Sequence, residues 1–253
     1  MKLLILGSGT STGVPVIGCG CRVCTSTEPR NRRTRASALI QSRGKNILID
    51  TSTDLRAQAL SNGITRIDAV LFTHPHADHI HGIDDLRSFN MIQDAPIPCY
   101  GDSKTIERIR VMFEYIFREE PAESWRPNLT TTVVEEPFTT FDTEITPLKI
   151  HHGRSVILGF RVGGVAYLTD CSAIPAESME RLLGLDLLVI GALRRRPHPT
   201  HFSIDQALEA VEALKPKKAV LTHLSHTVDY TTDNGKLPQG VELAYDGMVV
   251  EAG

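Results

Sequence analysis

The 253-residue chain is poor in several things. Aromatic residues make up 6% of it, with a single tryptophan, and no stretch approaches the ~20 consecutive apolar residues of a membrane helix. Its opening offers only the short run Leu3–Leu6, against the about 7–15 apolar residues of an export signal, so a cytoplasmic protein without a membrane partner is expected. A net charge of −3 provides no basic surface for tracking a polyanion. Extended nucleic acid is therefore not an expected partner, although a small anion held at one site is. No low-complexity tract, charge block or linker divides the chain, and residues 1–253 read as a single domain. The five cysteines are odd in number and three crowd into Cys19–Cys24, which fits a metal site better than a disulfide framework.

What is present is a succession of short apolar runs and amphipathic stretches. Strands are expected at Lys2–Leu6, at Ala36–Gln41 and Asn46–Asp50 around the hairpin turn Arg43-Gly44-Lys45, and at Ala69–Phe72. Further strands are expected at Ile145–Ile150, Gly159–Val162, Val165–Thr169, Leu185–Ile190 and Ala219–Thr222. Helical spacing runs through Thr53–Asn62, Ser103–Arg118, Pro175–Leu183 and Ser203–Leu214. Asp246-Gly247 between Glu242–Tyr245 and Met248–Glu251 signals a closing hairpin. Strands and helices in both halves predict two sheets packed together with helices outside.

Thr73-His74-Pro75-His76-Ala77-Asp78-His79 follows a strand directly and gathers three imidazoles and a carboxylate within six residues. That is a dense set of nitrogen and oxygen donors for a divalent first-row metal. A helical zincin is excluded, because no Glu lies between histidines spaced four apart. The pattern His74-x-His76-x-Asp78-His79 resembles the signature of the metallo-β-lactamase superfamily. His152, Asp170 and His223 follow it in order, each at or just after a strand. The resemblance implies an αββα sandwich, an α/β fold, with two divalent catalytic metals, zinc or manganese. One would be held by His74, His76 and His152, the other by Asp78, His79 and His223, with Asp170 bridging. His151 competes with His152 for its place, and His152 is preferred for its distance to the following strand.

Cys19, Cys21 and Cys24 supply three thiols, and a tetrahedral zinc needs a fourth ligand. His226, in Thr222-His223-Leu224-Ser225-His226, is the candidate, which makes residues 18–26 a structural zinc loop. The opening Gly7-Ser8-Gly9-Thr10-Ser11-Thr12-Gly13-Val14-Pro15 lacks the Gly-Lys-Ser/Thr of a P-loop and reads as a tight turn near the metal centre. Together with the cysteines and the 222–226 run it resembles the PhnP group, phosphodiesterases of the carbon–phosphorus lyase pathway. That resemblance implies a structural zinc on these four residues, a homodimer, and a general acid at His201, with Asp78 and Asp170 sharing in catalysis. The expected reaction is hydrolysis of a small phosphodiester, a cyclic ribose phosphate or cyclic nucleotide. Arg194, Arg195 and Arg196 are candidates for holding a phosphate, as is Ser225. A thioesterase or lactonase on the same scaffold is the alternative, and a tRNA-processing nuclease a weaker one. His81 is expected behind the ligand loop as support, and His198 has no assigned task.

Overall fold

Ile47 and Ile49 leave their strand on one face and Leu48 on the other, and all three are fully buried. A strand covered on both faces reads as a continuous apolar run, and most central runs of this chain have that character. The structure, a computed structural model, describes residues 1–118 and 125–252. Its first half contains β1 (Lys2–Gly7), β2 (Ser37–Ser42), β3 (Lys45–Ile49), α1 (Leu55–Ser61), β4 (Ala69–Leu71), α2 (Ala77–Ile80), α3 (Leu86–Gln93), β5 (Ile97–Gly101), α4 (Ser103–Met112), α5 (Glu114–Phe117) and β6 (Leu129–Val133). The second half adds β7 (Phe138–Thr140), β8 (Thr143–His152), β9 (Ser155–Val162), β10 (Val165–Leu168), α6 (Ala176–Arg181), β11 (Leu187–Gly191), α7 (Ile204–Leu214), β12 (Lys218–Thr222), α8 (Tyr230–Asp233), β13 (Val241–Leu243) and β14 (Val249–Glu251).

Two seven-stranded sheets result, ordered β14-β1-β2-β3-β4-β5-β6 and β13-β12-β11-β10-β9-β8-β7. Their inner faces share one core in which Ile40, Ile49 and Leu71 of the first sheet meet Phe160, Tyr167 and Val189 of the second. The opposite face of the first sheet packs Leu48, Val70 and Phe72 against Leu55, Leu86, Phe89 and Ile109 of its helices. On the second sheet Leu168, Ile190 and Leu221 are covered by Ile204, Ala207 and Leu214 of α7. The layers are therefore helix, sheet, sheet, helix. Among the described residues no helix is long and apolar enough to cross a membrane.

Strands β3 to β6 run parallel, as do β10 to β13. Ligands in such sheets gather beyond the strands' carboxyl ends. Asp50, the His74–His79 loop, Asp170 and His223 all follow the carboxyl end of a parallel strand.

Three element expectations are corrected. The closing hairpin does not form: β13 pairs with β12 in one sheet, and β14 pairs with β1 in the other. Asp246 explains the divergence, since its carboxylate accepts from the backbone and hydroxyl of both Ser8 and Thr34 and ties the turn to the first strand's exit. The stretch Ser103–Arg118 is not one helix; it breaks at Phe113, whose φ of −119° and ψ of 42° lie outside helical values. The strand at Ile145–Ile150 runs on to His152, so that histidine ends the strand instead of following it.

Candidate metal centre and active site

Three non-glycine residues that follow the carboxyl ends of parallel strands adopt the left-handed backbone region: Asp50 at φ 60°, Asp170 at 53° and His223 at 58°. Such geometry is costly for a side chain with a Cβ and persists where surrounding structure imposes it. Here it turns a carboxylate or an imidazole off the end of a strand toward a common point.

At that point His74 Nε2 lies 2.9 Å from His76 Nδ1, and His152 joins them within metal-sharing distance. His74, His79 and Asp170 form a second group, and Asp78, His79 and His223 a third. His79 Nε2 is 3.2 Å from Asp78 Oδ2 and 3.1 Å from Asp170 Oδ2. His223 Nε2 is 3.2 Å from Asp170 Oδ1 and 3.9 Å from Asp78 Oδ2. Asp170 thus reaches toward both histidines with different oxygens. His79 Nε2 and both ring nitrogens of His223 are buried without a hydrogen-bond partner among the described residues. Buried polar atoms left unpaired beside carboxylate oxygens fit ligand atoms that share a cation. Burial works against charging His79, yet the carboxylates of Asp170 and Asp50 outweigh it and raise its pKa well above the ordinary value. Burial likewise opposes ionising Asp170, but His223 and His79 hold its carboxyl well below the usual range. Burial keeps His74 neutral, the form that ligates.

His152 stands in this cluster and His151 does not, because neighbours on a strand face opposite ways. The His152 Nδ1 atom pairs with the Thr200 carbonyl at 2.8 Å, leaving Nε2 free for the cluster. His201 is also present, its Nε2 2.8 Å from Asp170 Oδ1 and its ring stacked 5.0 Å from that of His223.

Two residues were invisible to sequence reasoning. Asp50 accepts from His79 Nδ1 at 2.7 Å and from the backbone and hydroxyl of Thr73, each at 2.8 Å. It fixes the ligand ring from behind, as metal-binding imidazoles require. The only signal was an acid ending an apolar strand, the pattern Asp170 also shows. Arg33 is 2% exposed and donates to the carbonyls of Ser225 and Val228 and to Asn31 Oδ1, bracing the loop that follows β12. His81, expected behind the ligand loop, is instead exposed and sits edge-on to Phe113 at 5.8 Å.

Cys19, Cys21 and Cys24 surround His226 Nδ1 at 3.4, 3.5 and 3.6 Å. Tetrahedral zinc with bonds of about 2.3 Å to sulfur and about 2.0–2.1 Å to nitrogen would separate these atoms by about 3.5–3.6 Å. The donor set fits. The backbone N–H of Cys24 helps pull the Cys21 thiol down to about 6, whereas burial pushes Cys24 up to about 11. The glycine-rich opening stitches both regions together. Gly9 pairs in parallel with Leu224, and a Cβ on Gly9 would stand 2.8 Å from the Arg33 carbonyl oxygen.

The remaining candidates lie outside the donor groups. Arg194 donates to the carbonyls of Arg196 and Pro197, and Arg195 pairs with Asp233 at 2.9 Å. Arg196 is exposed. Ser225 is buried, its hydroxyl 2.8 Å from that of Thr227.

A family model described as a β-lactamase superfamily domain matches residues 45–224. With the sandwich and the donor set, that makes the chain a metal-binding hydrolase of the metallo-β-lactamase fold. A crystal structure of a diphosphatase from the PhnP family is 44% identical, with a TM-score of 0.92 over 99% of this chain and 97% of that one. The chain belongs to the β-lactamase superfamily and, within it, to the PhnP family. An octanoyltransferase of Porphyromonas gingivalis is 42% identical across 98% of this chain but only 51% of its own length, so the chain spans about half of that relative. Zinc-bound PqqB from Methylobacterium extorquens shares the fold, with 19% identity and a TM-score of 0.77 over 99% of this chain and 100% of that one.

Proposed function

We propose that residues 1–253 form one domain that hydrolyses a small phosphodiester, a cyclic ribose phosphate or cyclic nucleotide, with disubstituted diphosphates as a neighbouring substrate class. The PhnP-family relative is a diphosphatase, and in both classes the phosphorus carries two substituted oxygens among its four. In this reading His74, His76 and His152 hold one divalent cation, zinc or manganese, and Asp78, His79 and His223 the other, with Asp170 between them. Cys19, Cys21, Cys24 and His226 hold a structural zinc. When bound, the catalytic cations supply Lewis-acid chemistry, making water acidic enough to attack near neutral pH and offsetting phosphoryl charge.

The protein's own part is positional and protolytic. Asp50 and the Thr200 carbonyl orient the rings of His79 and His152. Water gives one proton to bulk solvent as its oxygen joins phosphorus, the bond to the leaving oxygen breaks, and His201 gives that oxygen a proton. The observation that carries the reading is the position of His201, its Nε2 2.8 Å from Asp170 Oδ1 at the edge of the donor cluster. General acid catalysis of this kind contributes about 10²–10⁴-fold.

The test is a substrate screen with metal-loaded protein over cyclic nucleotides, cyclic ribose phosphates, dinucleoside diphosphates, bis-aryl and mono-aryl phosphate, an octanoyl thioester and lactones. Diester or diphosphate turnover above the monoester is expected, with Asp170→Ala abolishing it and His201→Ala lowering it by about 10²-fold or more. Monoesterase activity equal to or above the diesterase would overturn the phosphodiesterase reading. Faster turnover of thioester or lactone, insensitive to His201→Ala, would move the chemistry to carbonyl hydrolysis. The homodimer belongs to the same proposal, and sedimentation at the mass of one chain would remove it.

A further inference from the structure

Two loops meet beside the metal centre on the side of His201. One is the two-residue turn Gly153-Arg154, which joins β8 to β9 directly after His152. The other runs from β11 to α7 and carries His201. Its base is closed by the Leu193 N–H on the Phe202 carbonyl and the Ile204 N–H on the Arg194 carbonyl. The two are in contact: a Cβ on Gly153 would stand 2.7 Å from Thr200 Cγ2, and His152 Nδ1 lies 2.8 Å from the Thr200 carbonyl oxygen. In a chain of net charge −3, residues 194–203 contain three arginines, two histidines and no acid. Arg195 is neutralised by Asp233, and Arg194 is turned onto the carbonyls of Arg196 and Pro197. Arg154 and Arg196 are exposed, and neither guanidinium has a hydrogen-bond or ion-pair partner among the described residues. Pro197 and Pro199 each fix φ, which lowers the entropy this loop loses on receiving a ligand.

We infer that Arg154 and Arg196 form a subsite for a second phosphate, which makes a disubstituted diphosphate the substrate class of this centre. The subsite rests on the phosphodiesterase reading above and narrows it. In that reading the leaving oxygen departs beside His201, on the loop that also holds Arg196. A leaving group that is itself a phosphate gains negative charge as the bridging bond breaks, and guanidinia on that side offset it through charge-assisted hydrogen bonds. A cyclic nucleotide has one phosphate and presents no second anion to hold. The step balances. Water joins its oxygen to one phosphorus and gives a proton to solvent. The bridging oxygen leaves on the second phosphorus with the electron pair of the broken bond and takes a proton from His201, which solvent replaces. Two phosphate monoesters result.

Turnover of diadenosine diphosphate, with two phosphates, is to be measured against bis-p-nitrophenyl phosphate, with one, in metal-loaded protein. Arg154→Ala and Arg196→Ala should each lower kcat/KM for the diphosphate by about threefold or more, and together by about tenfold or more. The losses on bis-p-nitrophenyl phosphate should be several times smaller. Lysine at either position should restore part of the rate, because it keeps the charge without the planar fork. Added salt should slow diphosphate turnover more in the wild type than in the double variant. Equal losses on both substrates, or a double variant with wild-type selectivity, would overturn the inference. Loss of metal in the alanine variants would do the same, by showing a structural role. A wild type inactive on every phosphodiester would sink the functional reading instead. Calorimetric binding of methylene-bridged diadenosine diphosphate then decides the subsite: affinity about tenfold weaker in the double variant supports it, and equal affinity removes it.

Discussion

Asp50, Asp170 and His223 each leave a strand through the left-handed backbone region and meet at one rim. Of the three, Asp50 alone belongs to none of the donor groups; its side-chain bonds go to His79 and Thr73. Its loss is therefore expected to lower affinity for a divalent metal without removing a donor. Asp50→Ala should weaken binding by about 10–100-fold in a chelator competition, with secondary structure retained in circular dichroism. A second single-residue effect concerns pH. Burial works against ionising Asp68, but Arg66, the Asn46 backbone and Lys45 outweigh it and hold its carboxyl below the ordinary value. A depressed folded pKa contributes stability that is complete above the unfolded value near ~3.9 and is lost as pH falls through the folded one. Asp68→Asn should accordingly cost about 1–3 kcal/mol at pH 7 in urea titrations, and the deficit should shrink below about pH 4. The histidine cluster was legible because its donors repeat at close spacing within one loop. Asp50 was not, since a lone acid after a strand carries no distinguishing pattern and its φ is set by tertiary contacts.

Among the elements, α7 shows local chemistry agreeing with tertiary use. Ser203 accepts from the Gln206 backbone while Gln206 returns a bond to the Ser203 N–H, a reciprocal cap that starts the helix two residues after His201. Ser203→Ala should cost about 1 kcal/mol and lower the melting temperature by about 2–4 °C. Calorimetry checks the stability, and a parallel fall in diesterase kcat is expected because the cap anchors the segment presenting His201. Strands β1 to β4 and β8 to β12 and the helix α7 were readable from apolar runs and capping residues. The hairpin expected at Asp246-Gly247 does not form, for a physical reason. A turn dipeptide reports that the chain reverses, not which sheet each flank joins, and here four hydrogen bonds to Asp246 decide that. The break at Phe113 was hidden because apolar spacing continues across it, and β5 to β7 are too short and too polar to stand out.

For the whole molecule, the inner core holds the sandwich together independently of any ligand. Phe160 is fully buried between the sheets, and Phe160→Ala should destabilise by about 3–5 kcal/mol in urea titrations. The αββα architecture followed from strands and helices recurring in both halves, but strand order did not. Order depends on which edges meet in space, and periodicity along the chain contains no such information.

The loop after β12 sends His223 to one donor cluster and His226 to the other, with Arg33 and Gly9 clamping the residues between. The two clusters thus share the same few peptide units, so a change at one can be felt at the other. Under the proposed two-site reading, any coupling between the clusters is reciprocal, each occupancy changing the other's affinity by the same factor. Zinc withdrawn from the thiolates should thus loosen the distant ion that His223 helps to grip, as a measurable shift in its dissociation constant.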